Sequence, residues 1–388
     1  MKWEKVKLGE AFILQMGKTP SRNRSDYWKN GDNEWISISD IGDEKYIKNT
    51  KESITDKAIF ESGIKIVPND TVIMSFKLSL GKTCITAKDM YTNEAIMAFM
   101  CKGTKEIDNN YLYYCLKNNN WIEGTNKAVK GITLNKATLT DIQILIPPIF
   151  IQHKVAEVLD KASELINKRK KQIELLDQFL KSVFIDIFGD PVTNSKGWEI
   201  KLLSQVGELK RGKSMHRPRN DPKLLGGIYP LIQTGEISNS GLYVKDYTQT
   251  YSELGLQQSK MWGKGTLCIT IAANIAKTGI LTFDACFPDS VVAFLPNEVI
   301  TNNYVQFWFM SLQKIIEKSA PQSAQKNINL EILNILDIPL PPLNLQYQFA
   351  AIVEQVEKQK ELLKSGLEKL ELIYKSLMQK AFNGELFS

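Results

Sequence analysis

Two stretches of the chain set apolar residues three and four positions apart with charged residues between them. In the first these are Val155, Leu159, Ala162, Ile166, Ile173, Leu176, Leu180, Val183 and Ile187. In the second they are Phe349, Val353, Val356, Leu363, Leu367, Leu370, Tyr374, Leu377 and Ala381. Such residues fall on one stripe of a helix, and about five heptads of them are a coiled-coil pattern. The spacing predicts helices over 149–187 and 343–381. Each opens after a proline pair, Pro147-Pro148 or Pro341-Pro342, as proline favours a helix start. One basic residue interrupts each stripe, Arg169 and Lys360, and both are expected to reach out to solvent.

Ahead of each helix the pattern shortens to β-branched and alternating runs. Residues 71–74 and 83–86 flank a turn near Gly81, and 266–270 with 277–281 repeat the arrangement, so each half holds a hairpin. Residues 35–39, 230–234, 95–100 and 291–295 read as further strands. Residues 110–114 and 303–308 bring aromatics at helical spacing, expected in the core.

These elements come twice in the same order. Trp3-Glu4-Lys5-Val6-Lys7-Leu8 returns as Trp198-Glu199-Ile200-Lys201-Leu202-Leu203, a shift of 195. Ile146-Pro147-Pro148 with Gln152 returns as Leu340-Pro341-Pro342 with Gln346, a shift of 194. That period is too long for a solenoid and describes a whole domain plus a helix. The expected architecture is α+β: two similar domains separated by two long helices that form an antiparallel coiled coil, with an internal pseudo-two-fold. At 1.5 Å per residue each helix would run about 57 Å. That exceeds one duplex turn of about 34 Å, and an approximately two-fold protein suits an approximately two-fold ligand such as duplex DNA.

Composition narrows the field. The 388 residues are 43% hydrophobic and 24% charged, as in ordinary soluble proteins. A net charge of +6 is compatible with a polyanionic partner. Five cysteines, an odd number without C-x-x-C, together with no apolar leader and no long apolar run, predict free thiols, a cytoplasmic location and no membrane. Two histidines and no zinc-like spacing leave no metal site to expect.

Catalytic patterns are missing as well. Gly81-Lys82-Thr83 looks like the end of a phosphate loop, but position 76 is Phe where glycine is needed, and the second copy reads Ala276-Lys277-Thr278. No G-x-G-x-x-G follows a strand. The proline pairs lack the Asn or Asp before them and the aromatic after them that amino-methyltransferases use. Asp70 and Lys77 could suggest a metal nuclease, but Ser75 stands where its second acid belongs. A concealed nuclease and a protein-only coiled-coil adaptor are the competing readings.

The early loop of each half is basic. Residues 13–30 carry four basic residues against one acid, and 207–223 carry six against two. Lys18, Thr19, Ser21, Arg22 and Arg24 in the first, and Lys213, Arg217 and Arg219 in the second, are candidate DNA contacts. They combine phosphate-binding cations with the forked donors that guanine accepts. Hairpin lysines Lys77, Lys82 and Lys277 could add phosphate contacts. A second candidate segment precedes each proline pair, with Lys130 in one half and Gln322, Gln325 and Lys326 in the other. Asn135 and Asn329, which align, are expected to cap helices or turns. The basic run 167–171 is expected on a wet helix face. The shared framework with divergent loops implies two half-sites of different sequence.

The chain resembles the specificity subunit of type I restriction–modification systems over essentially its whole length. The resemblance rests on the two Trp-led starts, the Ile-Pro-Pro and Leu-Pro-Pro boundaries with Gln152 and Gln346, and the linker Phe188-Gly189-Asp190-Pro191 to Gly197-Trp198. The end Ala381-Phe382-Asn383-Gly384-Glu385-Leu386 also fits. It implies target-recognition domains over 1–148 and 191–342, a central spacer helix over 149–190 and a C-terminal spacer helix over 343–388. It also implies a non-catalytic, DNA-binding chain that recruits two methyltransferase subunits and, through the complex, motor–nuclease subunits. S-adenosylmethionine would then sit on the methyltransferase, and ATP with magnesium on the motor, leaving no cofactor for this chain.

Overall fold

The computed structural model describes residues 3–77, 79–119, 121, 134–272, 275–319 and 328–387, with the side chains of 314–319 excepted. Two compact units emerge: residues 1–170 with 365–388, and residues 171–364. Each holds one β-rich domain and a half of both long helices.

In the first unit a five-stranded sheet runs in the order Phe12–Met16, Ile96–Cys101, Val72–Ser75, Thr83–Thr86, Tyr46–Ile47. The second unit repeats it as Gly207–Arg211, Val291–Pro296, Leu267–Thr270, Thr278–Leu281, Tyr243–Val244. The hairpins expected in both halves are present, antiparallel and buried. The aromatic helices Asn109–Asn118 and Asn302–Ser319 cover them, with Tyr111, Tyr114, Tyr304 and Trp308 in the core. A two-strand clip closes each domain, Glu4–Lys7 on Gln143–Ile146 and Glu199–Leu202 on Asp337–Leu340.

The runs 35–39 and 230–234 are strands only at their beginnings. Strand Asn33–Ile36 gives way to a helical turn that Ser37 opens, its backbone N–H and hydroxyl both donating to Asp40. Strand Leu225–Leu231 likewise hands over to helix Thr234–Asn239, where the Gln233 N–H donates to Glu236 at 3.1 Å. A serine or glutamine followed three residues later by an acid caps a helix, and that local pairing overrides the β-branched run.

The long helices span Ile149–Phe188 and Leu343–Phe382. Within the first unit the start of one packs with the end of the other: Ile151, Val155 and Leu159 share a core with Met378 and Ala381. Within the second unit Leu180, Phe184 and Phe188 meet Phe349, Val353 and Val356. In both units the pairing is therefore antiparallel. A buried glutamine anchors each helix start. Gln152 donates to the carbonyls of Pro147 and Glu106 and accepts the Asp108 N–H at 2.9 Å. Gln346 donates to Pro341 and Val299 and accepts the Thr301 N–H at 2.8 Å. The repeated glutamine thus ties each long helix to the segment that starts the aromatic helix.

Of the two seam cations, Lys360 does not reach solvent as expected. Lys360 is 7% exposed, and its ammonium donates at 2.6 Å to Asp177 on the other helix and at 2.6 Å to Glu357. Arg169 is half-buried and lies over Gly366, where a Cβ would meet Nη1 at 2.3 Å. A carboxylate pair keeps Lys360 inside the seam, and the missing side chain of Gly366 leaves room for Arg169.

Candidate nucleic-acid interface

The basic loops are set by glycines at repeated positions. A Cβ on Gly17 would lie 2.2 Å from the Thr92 carbonyl oxygen, and one on Gly212 would lie 2.3 Å from that of Pro288. The Gly17 N–H donates to Ile96 and the Lys18 N–H to Thr92; the Gly212 N–H donates to Val291 and the Lys213 N–H to Phe287. Each loop is thereby laid against the turn 92–95 or 287–290. The hairpin end joins the same turn, with the Phe76 N–H on Ala95 and the Ile271 N–H on Ser290. The segments before the proline pairs rejoin here too: the Leu134 N–H donates to Phe76 and the Ile328 N–H to Ile271. Early loop, hairpin and late segment therefore converge on one end of each five-stranded sheet. Lys130, Gln322, Gln325 and Lys326 lie outside the described residues. Asn135 and Asn329 cap helices, accepting the N–H groups of Thr138 at 2.8 Å and Ile332 at 2.9 Å.

In the first domain the loop wraps two tryptophans. Trp35 donates to the Lys18 carbonyl and Trp28 to that of Ser21, both at 3.1 Å. The Arg22 guanidinium lies 3.8 Å above the Trp28 ring and forms a two-pronged ion pair with Glu52, which raises its pKa. A stacked, forked arginine is firmly oriented. Arg24 pairs with Asp26 at 2.7 Å and with Glu61 at 3.4 Å. Hydrogen bonds from Arg24, then Lys57, hold the Asp26 carboxyl well below the usual carboxylate range. The Lys18 ammonium donates to the Ser62 carbonyl and the Thr19 hydroxyl to Glu94, while Ser21 is exposed.

The second domain gathers its arginines differently. Arg219 pairs with the Asp289 carboxylate, Arg217 approaches it at 3.5 Å, and Arg211 Nε donates to the Asp289 carbonyl at 2.6 Å. Arg217 Nη1 also donates to the carbonyls of Ser214 and His216. The Lys213 side chain is exposed. Lys277 lines a cavity of about 380 Å³ with Lys364 and Asp177, whereas Lys82 is exposed, 3.5 Å from the Ile41 carbonyl. Lys77 lies 5.3 Å from the Phe76 ring centre.

Sequence reasoning missed Trp28, Trp35, Arg211, Glu94 and Asp289 as shapers of this end. One signal was present: Glu94 and Asp289 are acids at the same repeat position, 195 apart, and both accept from the early loop. The nuclease pair does not assemble. Asp70 is a turn residue at φ +55° whose carbonyl and carboxylate accept from Asn109. Lys77 stands beyond the opposite end of strand Val72–Ser75. Among the described residues no group of His, Cys, Asp or Glu could hold a metal, and no helix is long and apolar enough to cross a membrane.

The chain is thus a duplicated α+β domain with divergent basic loops, each copy followed by a long helix. The chain belongs to the type I restriction modification DNA specificity domain family, whose model matches residues 1–175 and again 195–372. The MjaIX specificity subunit of Methanocaldococcus jannaschii is 26% identical over 67% of this chain, which spans 63% of that relative's length. The MjaVIII specificity subunit of the same organism is 24% identical, covering 99% of this chain and 93% of its own. The type I restriction–modification S subunit from M. genitalium has the same fold, with a TM-score of 0.59 at 17% identity over 98% of this chain and 96% of that one. A chain from a type I system studied for its complex assembly reaches a TM-score of 0.63, also at 17% identity, over 99% of this chain and 98% of its own.

Proposed function

We propose that this chain is the DNA-reading subunit of a type I restriction–modification complex, each recognition domain reading one half of an asymmetric bipartite site. The observation that carries this is a common frame with unlike tips. The same sheet order, buried glutamines and loop glycines recur, while the loops they present carry Arg22 on Trp28 in one copy and Arg217 with Arg219 on Asp289 in the other. Phosphate contacts from the lysines position the duplex, and arginine forks at base edges specify it.

The helices, 40 residues each, set the spacer between half-sites, about 60 Å of helix at 1.5 Å per residue. They also dock two methyltransferase subunits. Exposed apolar side chains support this role: Leu175, Phe179 and Ile185 on the first helix, Leu362, Leu372 and Ile373 on the second. Motor–nuclease subunits join through that complex. The chain itself performs no catalysis; S-adenosylmethionine belongs to the methyltransferase, and ATP with magnesium to the motor. The assembly works in the cytoplasm on double-stranded DNA.

Co-expression with the neighbouring methyltransferase, followed by mapping of methylated adenines on a plasmid, tests the reading. The expected pattern is one split motif with a fixed spacer. Methylation without a motif, or cleavage of DNA by the purified chain and a divalent metal alone, contradicts it.

A further inference from the structure

Glu94 and Asp289 hold the same place in the two copies but face different charge. Around Glu94 the first domain neutralises its arginines one by one: Arg22 against Glu52, Arg24 against Asp26 and Glu61. Around Asp289 three guanidiniums gather on one residue, two on its carboxylate and one on its backbone carbonyl. Arg217 and Arg219 reach that carboxylate with side chains 54% and 44% exposed, and Arg211 is held by the backbone carbonyl of the same residue. Two positive charges remain uncompensated by this acid. Arg217 is fixed through backbone carbonyls at 2.6 and 2.8 Å, so its position is set before any ligand arrives.

We propose that Arg211, Arg217 and Arg219, gathered on Asp289, form the chain's principal arginine clamp for a DNA phosphodiester, whereas Arg22 and Arg24 orient and read bases with little net neutralisation. This rests on the reading of the chain as a DNA-binding subunit. The Asp289 carboxylate keeps the arginines assembled in the way a phosphate would, and a forked guanidinium accepts either anion. A phosphate entering the cluster displaces Asp289 from Arg217 and Arg219 and releases condensed counterions from the duplex. The consequence appears as a slope in the logarithm of affinity against that of salt, about 0.9 for each phosphate neutralised.

The test uses the full chain, a random-sequence duplex and a potassium chloride titration read by fluorescence anisotropy. R217A/R219A is expected to lower the slope by about 0.9, the value for one phosphate, and R22A/R24A by less than about half of that. Asp289→Asn is expected to tighten duplex binding several-fold, because the competing carboxylate is gone. Near-UV circular dichroism checks folding, and R217Q/R219Q replaces the alanine pair if that pair fails to fold. Equal slope losses for the two arginine pairs, or weaker binding by Asp289→Asn, overturn the assignment. Inorganic phosphate at matched ionic strength is expected to leave the duplex bound; displacement by it would make a free anion the ligand and also overturn the assignment. An unmutated chain that binds the duplex without salt dependence sinks the underlying DNA reading instead.

Discussion

Gln152 and Gln346 do the same work in the two halves of the molecule; Arg22 and Arg219 do not. Each glutamine is fully buried and satisfies two carbonyls and one N–H at the start of a long helix. Each arginine leans on an acid, but Arg22 has Glu52 to itself while Arg219 shares Asp289 with Arg217. Duplication therefore kept the residues whose loss would orphan buried backbone groups and let the solvent-facing tips diverge. Specificity can change at such tips without refolding the frame.

The largest effects should fall on the frame and fall equally. Gln152→Leu and Gln346→Leu each take the side-chain partner from one buried and two part-buried backbone groups, and each is expected to cost about 2–3 kcal/mol in urea unfolding. A cost confined to one copy would break the comparison. The hairpin turns come next. Gly81 sits at φ +79°, and a Cβ there would lie 2.5 Å from Trp121 Cδ1. Gly81→Ala is expected to cost about 2 kcal/mol, from the left-handed backbone and this overlap. A loss below the fitting error would show that the turn can shift freely.

The helix seam gives an intermediate effect. Lys360 is buried against Asp177 and Glu357, whereas the corresponding position in the other half, shifted by 194, is the apolar Ile166. Lys360→Met strands those carboxylates and is expected to cost about 1–2 kcal/mol, moderated because Asp177 is half exposed. Burial pulls the Lys360 pKa down, but hydrogen bonds to Asp177 and then Glu357 outweigh it, and the net shift is upward. A folded value above the unfolded one stabilises fully below the ordinary lysine range. That stabilisation is lost as pH climbs through the raised value. The gap between native and Lys360→Met chains should close in strong alkali; a gap that widens there contradicts the ion pair. The smallest effect belongs to Ala276, which takes the Gly81 position at φ +57°. Ala276→Gly relieves left-handed strain but loosens the unfolded chain and removes a buried methyl, so the net gain should stay below about 0.5 kcal/mol. A clear destabilisation would mean that the methyl packs better than the backbone is strained.

The helices were legible because their stripe is periodic and their starts carry prolines, so the expected 149–187 and 343–381 fall one residue short of the observed ends. The caps at Asn135 and Asn329 were legible for the same local reason. Lys360 was misread because its partner Asp177 is 183 residues away, and only folding brings the second carboxylate. Charge singled out the two basic loops as candidate contacts, but their internal pairing was not legible. Arg22 finds Glu52 30 residues on and Arg219 finds Asp289 70 residues on, and no local pattern announces either. The strand runs read at 35–39 and 230–234 were extended too far because capping by Asp40 and Glu236 competes with β propensity.

The most direct test of the central claim, that each domain reads its own half-site, is a domain exchange. Residues 1–145 are replaced by the matching segment of another family member, the chimera is co-expressed with the methyltransferase, and methylated plasmid positions are mapped. The account predicts a new sequence in one half of the motif, with the other half and the spacer unchanged. Changes in both halves, or an uninterrupted motif, would contradict it.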